Sequence, residues 1–153
     1  MKINDKALDF ILPDETGNLH KLSDYLGQKV VLYFYPKDLT SCCTDQELEF
    51  KRLYEEYKKE NTVILGISKD SIKSHMKFVT THDLPFHLLS DETHEVITNY
   101  GVYKEKSMYG KKYMGIVRTT YVINEEGIII SIEEKVNSKK NPADTLCILR
   151  GDK

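Results

Sequence analysis

Residues 30–35, Val-Val-Leu-Tyr-Phe-Tyr, form an unbroken apolar run rich in β-branched and aromatic side chains. A run of this kind without alternation reads as a strand covered on both faces. Pro36 has no N–H to give to a ladder, so the strand is expected to stop there. A short, mostly polar connection follows, and then Phe50, Leu53, Tyr54 and Tyr57 recur at helical spacing on one face. Asp45, Glu47 and Glu49 crowd the early part of that helix, where the positive end of the dipole favours acids. Its start therefore falls close to Cys43.

The same alternation continues along the chain. Thr62 to Ser68 reads as a second buried strand, and Asp70 or Ser71 can cap a helix with Ile72, Met76 and Val79 on one face. Pro85 to Leu89 reads as a short strand. Ser90-Asp91 then caps a helix carrying Val96, Ile97 and Tyr100, and Gly101 suits its left-handed end. Thr119–Ile123 and Ile128–Ile132 flank Asn124-Glu125-Glu126-Gly127, a hairpin with a four-residue loop. Asn141-Pro142 opens a terminal helix with proline at its first position. Strand and helix alternate and the chain closes on a hairpin, so the expected class is α/β: a central mixed sheet with helices on both faces.

The chain has 153 residues, a usual length for one domain, and neither repeats nor linkers divide it. A net charge of −2 gives no reason to expect nucleic acid or a membrane surface as partner. The Lys-rich stretches 104–112 and 135–140 are interleaved with acids and uncharged residues and read as solvated faces. The polar N-terminus does not resemble a signal peptide, and no apolar run approaches the ~20 residues of a membrane span. The expectation is a cytoplasmic protein. Three cysteines, Cys42, Cys43 and Cys147, do not make a disulfide framework, so a free thiol is expected.

Cys43 sits where a buried strand hands over to a helix. Free N–H groups of a first turn stabilise an anion, and a thiol there can fall from about 8.5 into the range of about 3.5–7.5. A buried structural cysteine is the alternative, because cysteine also packs as a small hydrophobe. Its neighbours Thr40, Ser41, Thr44 and Asp45 do not look like core, which favours a reactive role.

The segment Tyr35-Pro36-Lys37-Asp38-Leu39-Thr40-Ser41-Cys42-Cys43-Thr44 resembles the active-site segment of the peroxiredoxins, Pro-x-x-x-Thr-x-x-Cys. Leu32 to Asp38, Leu84 to Asp91 and Tyr100-Gly101-Val102 are similar to the peroxiredoxin Q, or bacterioferritin comigratory protein, subfamily, and the likeness runs from about Ala7 to about Ser131. The resemblance implies one thioredoxin-like domain over residues 1–153 and a thiol-dependent peroxidase, an antioxidant oxidoreductase without cofactor or metal. Its substrates would be hydrogen peroxide or organic hydroperoxides. It also implies that Cys43 is the attacking sulfur, that Arg118 is the active-site arginine, and that Thr40 and Pro36 position the peroxide and shield the sulfur. Gln46 matches a position that helps orient the arginine. Each has a plainer reading: a surface arginine, a helix-capping threonine, a strand-ending proline, a polar residue in a first helical turn.

The chain departs from the subfamily where a resolving cysteine often stands: that position is Leu48, and the helix holding Val96 and Ile97 has no cysteine either. Cys42 is adjacent to Cys43, but neighbouring Cα atoms lie ~3.8 Å apart, below the usual range of about 4.4–6.8 Å for a disulfide. Cys147, beside Leu146, Ile148 and Leu149, is a core or incidental cysteine on one reading and a resolving thiol on another. The favoured expectation is a one-cysteine cycle in which an external thiol or a thioredoxin-like protein reduces Cys43, in a protein expected to be monomeric. Two rivals stand against the enzyme. One is a zinc site built from Cys42, Cys43 and one of His20, His75, His82, His87 or His94, for which the spacing is wrong; the histidines read as surface or packing residues. The other is a catalytically dead thioredoxin-fold interaction module.

Overall fold

The computed structural model describes residues 1–151, apart from the side chains of Cys42 and Met108. A short hairpin, β1 (Ile11–Pro13) with β2 (Leu19–Lys21), is followed by a 3-10 turn, Leu22–Tyr25, and by β3 (Lys29–Phe34). Helices α1 (Ser41–Arg52) and α2 (Tyr54–Lys59) lead to β4 (Thr62–Ser68), α3 (Ile72–His82), β5 (His87–Ser90) and α4 (Glu95–Asn99). A second hairpin, β6 (Tyr103–Met108) with β7 (Lys111–Ile116), precedes β8 (Thr119–Ile123), β9 (Ile129–Glu134) and α5 (Asn141–Leu149). The main sheet runs β5-β4-β3-β8-β9, with β3, β4 and β5 parallel and β8 and β9 antiparallel.

That is the mixed sheet the hydrophobic pattern predicts, and its central strand is the run at 30–35. Side chains alternate across it into two cores. Val30, Leu32 and Phe34 pack with Phe10, Leu12, Tyr100 and Tyr121. Val31, Tyr33 and Tyr35 pack on the other face with Phe50, Tyr57, Phe86 and Cys43.

Several boundaries differ from the expected ones. The helix drawn through Phe50 and Tyr57 is broken at Leu53, whose backbone (φ −96°, ψ 5°) leaves helical geometry before α2 resumes. No acid falls in the first turn of α1, because that turn begins at Ser41, earlier than the acidic residues. Asp91 does not cap α4 directly: the helix starts after His94, and the Asp91 carboxylate reaches forward to accept from the Ile97 N–H at 2.7 Å. On α3 the inward residues are His75 and Phe78, with Ile72 and Val79 half-buried, while Met76 faces solvent. Ser71 does cap that helix, accepting from Ser74 N. Gly101 (φ 72°) closes α4 with paired bonds from its own N–H to Thr98 O and from Val102 N to Ile97 O.

The β6–β7 hairpin was not expected, since its exposed residues include Lys104, Glu105, Lys111 and Lys112 in adjacent pairs, which hide the period of two. Its turn, Tyr109-Gly110, has φ of 52° and 78°, the signature of a primed two-residue turn.

One close packing point bears on the site. Gly66 of β4 lies between Tyr33 and Leu88 in register, and a Cβ there would come 2.5 Å from the Tyr33 hydroxyl and 2.8 Å from Leu88 Cδ2. Tyr33 can therefore fold over the glycine. Gly66→Ala is expected to destabilise the protein by about 1–3 kcal/mol through overpacking, read as a fall in the urea midpoint at unchanged slope.

Candidate active site

The loop leaving β3 carries the predicted residues in a constrained form. Tyr35 N still bonds to Ile67 O, so pairing fades gradually before Pro36, which is half-buried. Asp38, only 5 % exposed, is the loop's anchor. Its backbone N–H donates to Asp70 Oδ2 at 2.9 Å, and its carboxylate accepts from the hydroxyls of Tyr35 (2.6 Å) and Ser74 (2.8 Å). The fully buried His75 places Nδ1 2.7 Å from Asp38 and Nε2 3.0 Å from Leu89 O. With Asp38 tied to α3 on one side, Leu39 is held in the left-handed region (φ 61°), a conformation that leucine adopts only when its surroundings impose it.

Thr40 stands at the N-cap of α1, but its hydroxyl does not cap the helix; it donates instead to Lys37 O at 3.1 Å. The first helical bond runs from Thr44 N to Thr40 O. The amides of the first turn, Cys43 N–H included, thus point out of the helix end without a side-chain cap and are free to donate to an anion.

Cys43 is fully buried, and Arg118 reaches it from the junction between β7 and β8. Arg118 Nη2 donates to Cys43 Sγ at 3.1 Å, while Nη1 donates to Gln46 Oε1 at 2.7 Å. Gln46, itself fully buried, spends its other end on Asn141 Oδ1 at 3.0 Å. Asn141 is the hub behind it: Oδ1 also accepts from the Thr120 hydroxyl at 2.9 Å, and Nδ2 donates to Glu133 Oε2 at 2.8 Å. These partners fix which end of each amide faces which way, so the arginine is aimed at the sulfur by a chain of bonds reaching α5. A guanidinium nitrogen thus donates directly to the cysteine sulfur at the start of the helix. Cys43, Arg118 and Gln46 are brought together; Thr40 and Pro36 belong to the loop that leads into the same helix.

Three titratable groups around this set carry no signal of their own in the sequence. Glu47, one residue beyond Gln46, is fully buried and accepts a bond from the Tyr33 hydroxyl; its Oε1 has no partner among the described residues. Burial pushes its carboxyl well above the usual range, against the pull of Arg118. The unfolded chain loses this proton above pH ~4.5 while the native chain keeps it. The native state then binds more protons, and stability falls as pH rises. Glu47→Gln is accordingly expected to lose less stability than the parent between pH 5 and pH 8 in urea titrations. Lys106 of β6 lies over Gly115, where an added Cβ would come 3.1 Å from Lys106 Cδ. Burial, then the charge of Arg118, lowers its ammonium, while the sulfur of Cys43 opposes the shift. The carboxyl of Glu133 is raised by burial and held down in part by the bond from Asn141.

Cys147 lies on the exposed side of α5, whereas Leu146 and Leu149 of the same helix enter the core that holds Cys43. The core-cysteine reading of Cys147 is therefore set aside. The suggested redox role of Cys42 lies outside the described residues, since it depends on its side chain.

Comparison with known proteins points one way. The AhpC/TSA family profile matches residues 3–132. A putative peroxiredoxin Bcp of Coxiella burnetii is 43% identical over 146 residues, spanning 95% of this chain and 97% of that protein. Peroxiredoxin Bcp of Bacillus subtilis is 42% identical over 150 residues, spanning 98% and 96%. A peroxiredoxin Q mutant from Xylella fastidiosa superposes with a TM-score of 0.94 at 34% identity, covering 99% of this chain and 96% of that one. The bacterioferritin comigratory protein of Xanthomonas campestris, studied for its alkyl peroxide reduction activity, superposes with a TM-score of 0.90 at 34% identity, covering 96% and 98%. The sheet and its flanking helices are thus the thioredoxin-like arrangement of the peroxiredoxins. No helix among the described residues is long and apolar enough to cross a membrane.

Proposed function

This chain belongs to the AhpC/TSA family as a thiol peroxidase of the Bcp type, and from that premise we propose that Cys43 is its attacking sulfur and an external thiol its reductant. The observation that carries the reading is the bond from Arg118 Nη2 to Cys43 Sγ, with the other guanidinium arm locked on the buried Gln46.

In the first half-reaction the Cys43 thiolate attacks one oxygen of the peroxide. A sulfur–oxygen bond forms, the oxygen–oxygen bond breaks, and the second oxygen leaves as hydroxide or alkoxide and takes a proton from water. Sulfur is oxidised to a sulfenic acid and the peroxide is reduced. Arg118 faces the charge that builds on the oxygens, and its planar fork lets it hold the sulfur and the orienting Gln46 at once. The uncapped amides at the start of α1 supply further donors. Thr40, at the mouth of that turn, orients the peroxide, and Pro36 covers the sulfur without offering an N–H that would compete for it. Hydrogen peroxide and organic hydroperoxides both fit this chemistry, since only the oxygen–oxygen bond is engaged.

In the second half-reaction a thiol condenses with the sulfenic acid, water leaves, and a second thiol releases Cys43 by exchange. Leu48 occupies the position five residues beyond Cys43, and Cys147 faces solvent on α5. With Cys43 itself buried, the first turn of α1 must open before any second sulfur can approach it. Neither Leu48 nor Cys147 favours an internal partner, so the reducing thiol comes from outside, from a small thiol or a thioredoxin-like protein. Cys147→Ser is expected to turn over hydrogen peroxide with dithiothreitol to within about twofold of the parent, as for a surface substitution. If that variant consumes one equivalent and then stalls with every reductant, Cys147 is the resolving thiol.

A further inference from the structure

Two histidines distant in sequence meet outside the set of residues around Cys43. His20 of β2 and His87, the first residue of β5, have ring centroids 4.7 Å apart. Between them stands Asp14, in the turn after β1 and 1 % exposed. Its Oδ1 is saturated by the Thr16 N–H (2.8 Å), the Thr16 hydroxyl (2.6 Å) and the Asn18 N–H (3.1 Å). That leaves Oδ2 aimed at the two rings, 2.6 Å from His20 Nε2 and 3.4 Å from His87 Nδ1. Glu15, 5 % exposed, puts Oε1 2.7 Å from the same His87 nitrogen. The outer nitrogen of His20 is held in turn by the Tyr25 hydroxyl at 2.5 Å.

Asp14 and Glu15 are two nearly buried carboxylates, and among the described residues their only salt-bridge partners are these histidines. Two carboxylates and two imidazoles thus converge on one place with both acids largely shielded from water. We propose that Asp14, His20 and His87 form a binding site for a divalent transition-metal ion of the zinc type, with Glu15 at hand as fourth ligand.

The donor set, two imidazole nitrogens with carboxylate oxygens, suits such an ion. The three ligand atoms already lie within 4.8 Å of one another. Donors on one tetrahedral ion with bonds of about 2.0–2.1 Å stand roughly 3.3 Å apart, close to the Asp14–His87 separation. Two hydrogen bonds have to open, His20–Asp14 at 2.6 Å and His87–Glu15 at 2.7 Å. His20 can keep its N–H on the side facing Tyr25 and offer Nε2 as a lone pair, which is the usual support of a ligating histidine. His87 is half-exposed and gives the ion its way in.

The site is separate from Cys43. Leu89, two residues along β5 on the face of His87, belongs to the core layer that excludes Cys43, and Leu88 to the layer that includes it. A bound ion would pin the β1–β2 hairpin to the open edge of the sheet.

The test uses the reduced full chain and Co2+ as a spectroscopic probe displaceable by Zn2+. Expected are visible d–d bands without thiolate-to-cobalt charge transfer, one ion per chain, and a zinc-dependent rise in melting temperature. His87→Gln and His20→Gln should each lower affinity at least about tenfold and cancel the thermal shift, with peroxide turnover unchanged. His87→Gln decides the matter if His20→Gln fails to fold, since His87 is half-exposed. No binding by the parent chain, a thiolate charge-transfer band, or parental affinity in His87→Gln would each overturn the site.

Discussion

Cys43→Ser is expected to abolish peroxide turnover while leaving the fold in place. The position is fully buried at the start of α1, where serine is well tolerated, and the exchange of sulfur for oxygen leaves almost no cavity. Arg118 keeps an acceptor, because the hydroxyl can take the bond now made to Sγ. The chemistry does not survive, since a serine hydroxyl stays protonated without a dedicated base and does not attack peroxide oxygen. Thermal unfolding by circular dichroism should match the parent, and peroxide consumption with dithiothreitol should fall to the uncatalysed rate. Residual turnover would move the reaction to another cysteine.

Arg118→Lys keeps the charge and is still expected to cost about 10²–10³-fold in kcat/KM for peroxide, or roughly 2.7–4 kcal/mol of transition-state stabilisation. The reason is geometric. Arg118 uses one nitrogen on Cys43 Sγ and another on Gln46 Oε1, and the plane of the guanidinium fixes both directions together. A lysine ammonium is a single point on a flexible stem, so satisfying Gln46 pulls it from the sulfur. Gln46 and Asn141 would remain bonded to each other, which limits the effect on stability. Stopped-flow rates for the parent and the variant check this, and a loss of less than about tenfold would reduce Arg118 to a structural role.

How much of this could be read from residues alone depended on sequence distance. The run at 30–35 announced β3 because burial on both faces demands an unbroken apolar stretch, and Cys43 at a strand-to-helix junction was suspicious on local grounds. Arg118 became visible only through the family resemblance, as it lies 75 residues from its partner. Gln46 carries little signal in the sequence, because a polar residue early in a helix needs no explanation. Its importance lies in Asn141, 95 residues away, which no local pattern could connect to it. The same holds for Asp38 with His75, and for Glu47, whose burial depends on the space that Gly66 leaves for Tyr33. On α3 the periodicity chose Met76 over His75 for the inward face, since a hydrophobic pattern cannot foresee a histidine bonded at both nitrogens. The β6–β7 hairpin escaped notice because charged residues stand in adjacent pairs along its strands.

The most direct test is mass spectrometry of the reduced protein after one equivalent of hydrogen peroxide, with and without a small thiol. Without the thiol, Cys43 should carry one added oxygen, trapped as a sulfenic acid by a dimedone-type reagent, with Cys147 still free. With the thiol present, the product should be a mixed disulfide at Cys43 or the regenerated thiol. A Cys43–Cys147 disulfide formed without added thiol would contradict the external-thiol cycle, and oxidation that spares Cys43 would contradict the account as a whole.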